Sequence, residues 1–482
     1  MSQLKTLASQ TIIYGASSIL GRLINYLLVG LHTSIFLPEA LGVVTALYAY
    51  VAIIMIAYTY GMETTFFRYA KEDPKKTYHA AFTIVVVVST ALTLFLFGFS
   101  NELAKAIGYP ETGLYIKWSA LIMWIDAFSA VPFAHLRFQN KAKKFASVKI
   151  ANILLNIFLQ YLMLSLLPSL SVNFQPSIGH IFLANLVSNG VIIFFLLKEI
   201  SELRVRIDMP TVKKMLKYSS PIFLMGMAGM LNEQLDKVLI EHLLPDSFYE
   251  NMNSTAALGV YGQTFKIGVF MMLAVQAFRY AGEPFFFAQA EDKKAPELFA
   301  KVMHYFIISG LLLFVLVSLN VDLLASIFLR KPEFRVALYL VPLLLFGKLL
   351  YGVYLNLSIW FKLKDKTEFG LYFGLLGVLI TIIGNVILLP KLGLLGCALT
   401  IICCYATMCI VCYFLGKRYF PIPYKFVAII PYLIVSISLV LLSHYFRLSN
   451  EFLDMAAKAA ISIVLVYLLW LTEKQKLTTK NI

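Results

Sequence analysis

The sequence predicts an all-α integral membrane protein. It would have 14 transmembrane helices, arranged as two six-helix lobes related by a parallel pseudo-two-fold plus two C-terminal helices, with both termini cytoplasmic. Three observations predict this. The chain is 60% hydrophobic and only 14% charged, with a mean hydropathy of +0.79, and a soluble protein of 482 residues needs more charge on its exterior. Its apolar residues gather in runs of about 20, the length a helix needs to cross a bilayer. A six-span pattern also recurs along the chain.

In chain order the runs are 12–31, 41–63, 79–99, 114–136, 148–168, 178–198, 218–240, 257–282, 302–320, 336–359, 368–389, 393–415, 425–445 and 452–471. The first is too long for a cleavable signal peptide and no A-x-A site follows it, so it reads as span 1. Between spans 9 and 10, VDLLASIFLRKPEF (321–334) suits a short interfacial helix. All five cysteines lie in one late apolar run without polar companions, which suits small membrane-buried side chains rather than a metal site.

Charge placement tests the span count. The formal charge is +15. With the N-terminus inside, most lysines and arginines fall in inner segments, and the outer ones hold only Lys105, Arg330, Lys331, Arg335, Lys391 and Arg447. That is the positive-inside pattern, so the basic excess forms an inner girdle and implies no nucleic acid. Outer loops are short, leaving no room for an extracellular catalytic module, and no Walker, H-E-x-x-H or G-x-S-x-G motif appears. The chain reads as a non-enzyme with no cofactor and no metal.

The repeat is visible in two places. ALGVVTALYAYVAIIMI (40–56) echoes ALGVYGQTFKIGVFMML (257–273), and YGMETTFFRYA (60–70) echoes YAGEPFFFAQA (280–290). Span 2 therefore matches span 8, and the repeat unit is six spans. An even number leaves both copies in the same orientation, with a pseudo-axis along the membrane normal. The expected domains are an N-lobe at 1–200, a cytoplasmic linker at 201–217, a C-lobe at 218–418, and two further helices with a cytoplasmic tail at 419–482.

Ionisable residues inside spans are costly and mark function by default. Arg22, Lys117, Lys266 and Lys348 are deep cations suited to an anionic substrate, Arg as a bidentate fork and Lys as a point charge. Glu233 and Asp236, one turn apart in span 7, suit a shared proton or a bound cation. Glu233 with Lys237 equally forms an ordinary i,i+4 pair. Glu63, Arg68, Asp126, Arg279 and Glu283 read as gate or structural charges, Glu63 and Glu283 as a matched pair at the inner mouth.

SSILGRLINYLLVGLHT (17–33), YGMETTFFRYA and DAFSAVPFAHLRFQNKAKKFA (126–146) resemble the bacterial polysaccharide-biosynthesis flippases, the Wzx-type O-antigen and capsule transporters of the MOP exporter superfamily. The resemblance implies two helical bundles rocking between inward- and outward-open states. It also implies a cargo: an undecaprenyl-pyrophosphate-linked oligosaccharide moved from the cytoplasmic to the periplasmic leaflet of the inner membrane. By position, Arg22 resembles the span-1 cavity arginine of related lipid II flippases, and Asp236 resembles a span-7 acid tied to cation coupling. Span 2 lacks an arginine before Arg68, a departure from the lipid II branch. The resemblance implies membrane lipids as partners, with a polymerase and glycosyltransferases of the same pathway, and H⁺ or Na⁺ as the coupling ion. A lipid II flippase and a multidrug/cation antiporter remain open as alternatives, with a membrane glycan polymerase or ligase behind them.

Overall fold

The structure, a computed structural model, describes residues 24, 26–171, 173–202, 208–290, 292–445, 450 and 453–463. Apart from one isolated bridge between Tyr249 and Met252, its regular elements are helical among the described residues. Nothing else would let backbone cross a bilayer without a closed barrel. The helices are α1 (Tyr26–Ile35), α2 (Pro38–Thr59), α3 (Met62–Tyr69), α4 (Pro74–Gly98), α5 (Ser100–Ala106), α6 (Gly113–Phe138), α7 (Ala142–Tyr161) and α8 (Leu167–Leu170). They continue with α9 (Gly179–Phe195), α10 (Leu197–Ser201), α11 (Met209–Leu243), α12 (Ser254–Ile267), α13 (Val269–Ala288), α14 (Ala295–Leu319) and α15 (Val321–Phe328). The last are α16 (Leu340–Leu357), α17 (Ile359–Leu363), α18 (Glu368–Leu392), α19 (Leu394–Tyr419), α20 (Ile430–Tyr445) and α21 (453–463).

Among the described residues, nine helical segments are long and apolar enough to cross a membrane, and α12 with α13, bent by 46°, makes a tenth. The helices α1 and α9 are shorter apolar segments. The stretch 321–334 is a short helix, α15, followed by a 3₁₀ turn at Pro332–Ala337, so it interrupts the run between α14 and α16 as its charges suggested.

Local chemistry sets the starts and breaks. Pro38 and Pro74 open α2 and α4, where a missing N–H is harmless. Asp73 caps α4 by accepting from the Lys76 N–H at 3.0 Å. Asn253 does the same for α12 through the Ala256 N–H at 2.8 Å. Asp246 accepts from the Ser254 N–H at 2.9 Å, and that hydrogen bond holds its carboxyl below the usual range. Between α2 and α3 the backbone turns left-handed at two successive residues, Tyr60 (φ 47°) and Gly61 (φ 66°), which breaks the helix inside YGMETT. A π turn at Leu162–Leu166 precedes Pro168 and joins α7 to α8.

The contacts form two compact units. One runs to Gly262 and includes Gly370–Pro390; the other is Gln263–Phe369 with the residues from Lys391 on. In the first, Tyr58, Met62 and Phe66 pack with Tyr78 and Phe82 of α4 and with Met123 and Val131 of α6. In the second, Phe286 of α13 packs with Phe299 of α14 and Ile359 of α17. Phe66 and Phe286 are the equivalent aromatics of the two repeats, and each is the buried centre of an aromatic cluster.

Within the first unit the ALGV motif meets its own copy. A Cβ at Gly42 would lie 1.9 Å from the Thr255 carbonyl oxygen, and a Cβ at Gly259 would lie 1.9 Å from the Pro38 carbonyl oxygen. Thr255 and Pro38 each precede the glycine of their own helix by four residues, so the contact is reciprocal, as between two-fold-related patches. Gly262, one turn on, faces its counterpart Thr45, with 2.5 Å from its Cβ position to Oγ1. Lipid tails are as apolar as the helices, so such close backbone approach is what drives packing here.

Candidate functional site

Three polar groups stand out within the apolar body. The first is cationic and lies in the second unit. Lys266, half-buried on α12, donates to the Gln263 Oε1 at 3.0 Å. Lys348, 4% exposed on α16, places its Nζ 4.8 Å from the centre of the Phe265 ring. Phe265 and Lys266 are adjacent in the chain, so two of the four expected cations belong to this stretch, Lys266 on α12 and Lys348 against its Phe265 ring. The chain breaks two residues later at Gly268, whose Cβ position lies 3.8 Å from Leu344 Cβ on α16. A cation against an aromatic face is stabilised by the ring quadrupole, by about 0.5–2 kcal/mol. Such a setting favours holding an anion near the ammonium groups over leaving them in hydrocarbon.

The second group pairs the expected acid with a neighbouring base. Asp236, on α11, is 2% exposed. Its Oδ2 accepts from the Tyr261 hydroxyl at 2.6 Å, and its Oδ1 accepts from the Lys237 Nζ at 3.1 Å and the Lys237 N–H at 2.8 Å. Lys237, 6% exposed, also donates to the Glu233 carbonyl oxygen at 3.1 Å. Lys237 therefore turns back to its neighbour's carboxylate and reaches only the backbone of Glu233 among these bonds. Beside this group Thr381 of α18 donates to the Asn232 Oδ1 at 2.5 Å, and the Cβ position of Gly374 lies 3.0 Å from Ala228 Cβ, which seats α18 on α11.

The third group occurs twice. In the first unit Arg137, at the end of α6, donates to Glu63 of α3 and lies 4.8 Å from the Phe67 ring centre. In the second, Lys362, on α17, donates to Glu283 of α13 at 2.5 Å. Three residues beyond each cation the chain turns left-handed at Asn140 (φ 58°) and Asp365 (φ 54°). Next, the Lys141 N–H reaches back to the Leu136 carbonyl at 2.9 Å, and the Lys366 N–H reaches back to the Phe361 carbonyl at 2.8 Å. These are matching helix ends of Schellman type. Glu63 and Glu283 are thus each bound within their own unit, to a cation that sequence reasoning did not single out.

The other expected residues scatter. Arg22 lies outside the described residues. Lys117 is half-buried on α6, with no ion pair or hydrogen bond among the described residues. Asp126, half-buried on the same helix, lies in electrostatic range of Lys149, whose Nζ sits 4.2 Å from the Phe133 ring centre. Arg68 is exposed beside Tyr69, and half-buried Arg279 lies beside Tyr280. The cysteines are free, with Cys403 exposed and the others buried. Among the described residues no group of three or more His, Cys, Asp or Glu side chains could hold a metal ion.

Tyr261, Gln263, Arg137 and Lys362 are the residues the sequence reading passed over. Lys237 had carried a signal, its i+4 spacing from Glu233, and the structure adds the Asp236 carboxylate to its partners.

Comparison with known proteins accords with this architecture. A family model described as "Polysaccharide biosynthesis protein" matches residues 34–278, and the MatE model matches 246–387. No curated protein matches the chain. Among solved structures, the lipid II flippase MurJ in an inward closed conformation superposes with a TM-score of 0.72 at 15% identity, covering 96% of this chain and 99% of that one. An inward-facing multidrug resistance MATE family transporter of the MOP superfamily gives 0.66 at 14% identity, covering 83% and 94%. An outward-facing one gives 0.62 at 15% identity, covering 85% and 95%. At these identities the likeness speaks for the fold, and the family model, spanning half of the chain, speaks for descent. The chain is a multi-pass membrane protein that belongs to the polysaccharide biosynthesis protein family and has the fold of the MOP-superfamily transporters.

Proposed function

We propose that the protein flips a polyprenyl-pyrophosphate-linked oligosaccharide across the bacterial inner membrane, from the cytoplasmic to the periplasmic leaflet. The observation that carries this reading is that Lys348 lies buried against the Phe265 ring while Lys266 follows Phe265 on the same helix, both within spans of a chain of this family. A pyrophosphate-sugar headgroup is too polar for hydrocarbon, and buried ammonium groups substitute for its hydration. The lipid tail stays in the bilayer throughout. A multidrug antiporter would take cationic cargo, which ammonium groups at Lys266 and Lys348 would repel. Alternating access of two six-span lobes, within a body of 14 spans, supplies the movement. On the sequence alone Arg22 and Lys117 are further candidates for holding the headgroup, and Asp236 with Glu233 couples the cycle to H⁺ or Na⁺.

Loss of the gene should leave lipid-linked repeat units accumulated in the cytoplasmic leaflet and surface polysaccharide missing. The wild type restores export, whereas Lys266→Ala and Lys348→Ala each lower the flipping rate about ten- to a hundredfold, the worth of one charge-assisted hydrogen bond. Lys→Arg at the same positions retains a good part of the rate and shows that the fold is intact. Normal export by the double alanine variant would sink the proposal.

A further inference from the structure

Asp236 is held differently from a carboxylate waiting for an ion. Both of its oxygens are engaged, and Oδ1 is engaged by an ammonium. The pairing is not a product of helical periodicity. Adjacent residues project about 100° apart around a helix, so Lys237 has to fold its stem back to reach Asp236. The ammonium is also held by the Glu233 carbonyl at 3.1 Å, and it lies 6.0 Å from the Tyr261 ring centre. One carboxylate oxygen, one main-chain carbonyl and an aromatic face are the surroundings that a small monovalent cation would take. Both side chains are over 90% buried, so the pair is weakly screened.

We infer that the Lys237 ammonium is the resident cation of the Asp236 site, seated where a coupling Na⁺ would bind and excluding it. Lys237 is then a specificity-determining residue. A soluble ion gains Asp236 only when the tethered one leaves, and while Lys237 is seated on Asp236 the site does not bind Na⁺. Removing the ammonium leaves a buried carboxylate, a carbonyl and a hydroxyl without their cation, which converts the cluster into a Na⁺ site. This inference rests on the ion-coupling part of the proposed function, but its test needs no substrate.

The test is the thermal unfolding of the purified full-length protein in NaCl against choline chloride at equal ionic strength. The wild type should melt at the same temperature in both. Lys237→Gln should show a saturable Na⁺-dependent rise of about 1–2 °C at tenfold excess over its Kd, and adding Asp236→Asn should abolish it. Lys237→Ala serves in the same assay should the glutamine variant not purify as a single species. A wild-type Na⁺ shift that Asp236→Asn removes overturns the inference. So does a monodisperse Lys237 variant that shows no shift. If the protein flips no lipid-linked sugar but the shifts appear as stated, the functional reading fails and the tethered cation stands.

Discussion

At the scale of residues, the most informative pairs are Glu63–Arg137 and Glu283–Lys362. The glutamates were visible in the sequence because the same polar ending closes two apolar runs. Their partners were not, because each lies more than 70 positions away at the end of another span, among many basic residues that the positive-inside rule already explains. The left-handed corners at Asn140 and Asp365 were equally hidden: Asn and Asp tolerate that conformation, but nothing in the flanking residues demands it. Both pairs are partly exposed, with side-chain exposures of 32% and 48% for Arg137 and Glu63, so each is worth about 0.2–1 kcal/mol. A double-mutant cycle on thermal stability with Glu63→Gln and Arg137→Gln should give a coupling in that range. Exchanging the charges, Glu63→Arg with Arg137→Glu, should recover most of it. Asn140→Gly should be neutral or mildly stabilising, while Asn140→Val should cost about 1–2 kcal/mol. Equal effects of Gly and Val would refute the left-handed corner.

At the scale of elements, α2 and α12 were legible as spans, and their ALGV copies as a repeat, but the seam between them was not. Sequence similarity says that two helices share descent, and only coordinates say that they meet through the shared residues. A side chain at Gly42 or Gly259 runs into a backbone carbonyl, which cannot rotate away, so the helices themselves have to part. Gly42→Val and Gly259→Val should each cost about 1–3 kcal/mol, with the double variant costing less than the sum because one separation relieves both clashes. Gly262→Ala should cost less, since its neighbour is the Thr45 side chain, which can yield. Strict additivity in unfolding measurements would argue against a shared seam. The start of α11 offers a pH test. Asp208 is held below the usual carboxylate range, first by the Lys76 hydrogen bond (2.8 Å between Nζ and Oδ2) and then by Thr211. A lowered folded value means stabilisation that is present at neutral pH and lost as the pH falls through the folded value, below about 4. Asp208→Asn should therefore lower stability near pH 7, flatten the acid limb of the profile, and converge with the wild type at the acid end, where Asp208 is protonated in both states.

At the scale of the whole molecule, membrane class, helical content and the six-span period follow from hydropathy and from echoes at matching offsets. The grouping of the helices does not. By descent α11 and α12 open the second repeat, yet by contact α11 and most of α12 belong to the first unit, with Gly370–Pro390 of α18. A repeat records ancestry and survives in apolar patterns, whereas contacts record which faces are buried together, and apolar helices carry little sequence signal for that choice. The same limit applies to the cationic group: Lys266 and Lys348 were individually visible as charges in spans, while Phe265, against whose ring Lys348 lies, looked like any other membrane phenylalanine. The repeat nevertheless makes a prediction that contacts alone do not. Six spans per copy place the corners at Asn140 and Asp365 on the same side of the membrane, whereas an odd repeat would place them on opposite sides. In a background with the five cysteines replaced, Asn140→Cys and Asp365→Cys should both be shielded from a membrane-impermeant maleimide in intact cells and react once the cells are opened. Both positions are exposed, as are Glu111 and Glu333 in the segments before α6 and α16, and cysteines at these last two should react in intact cells. Labelling of Asn140→Cys and Asp365→Cys from opposite sides would dismantle the parallel duplication, and with it the alternating-access scheme that assigns one lobe to each copy.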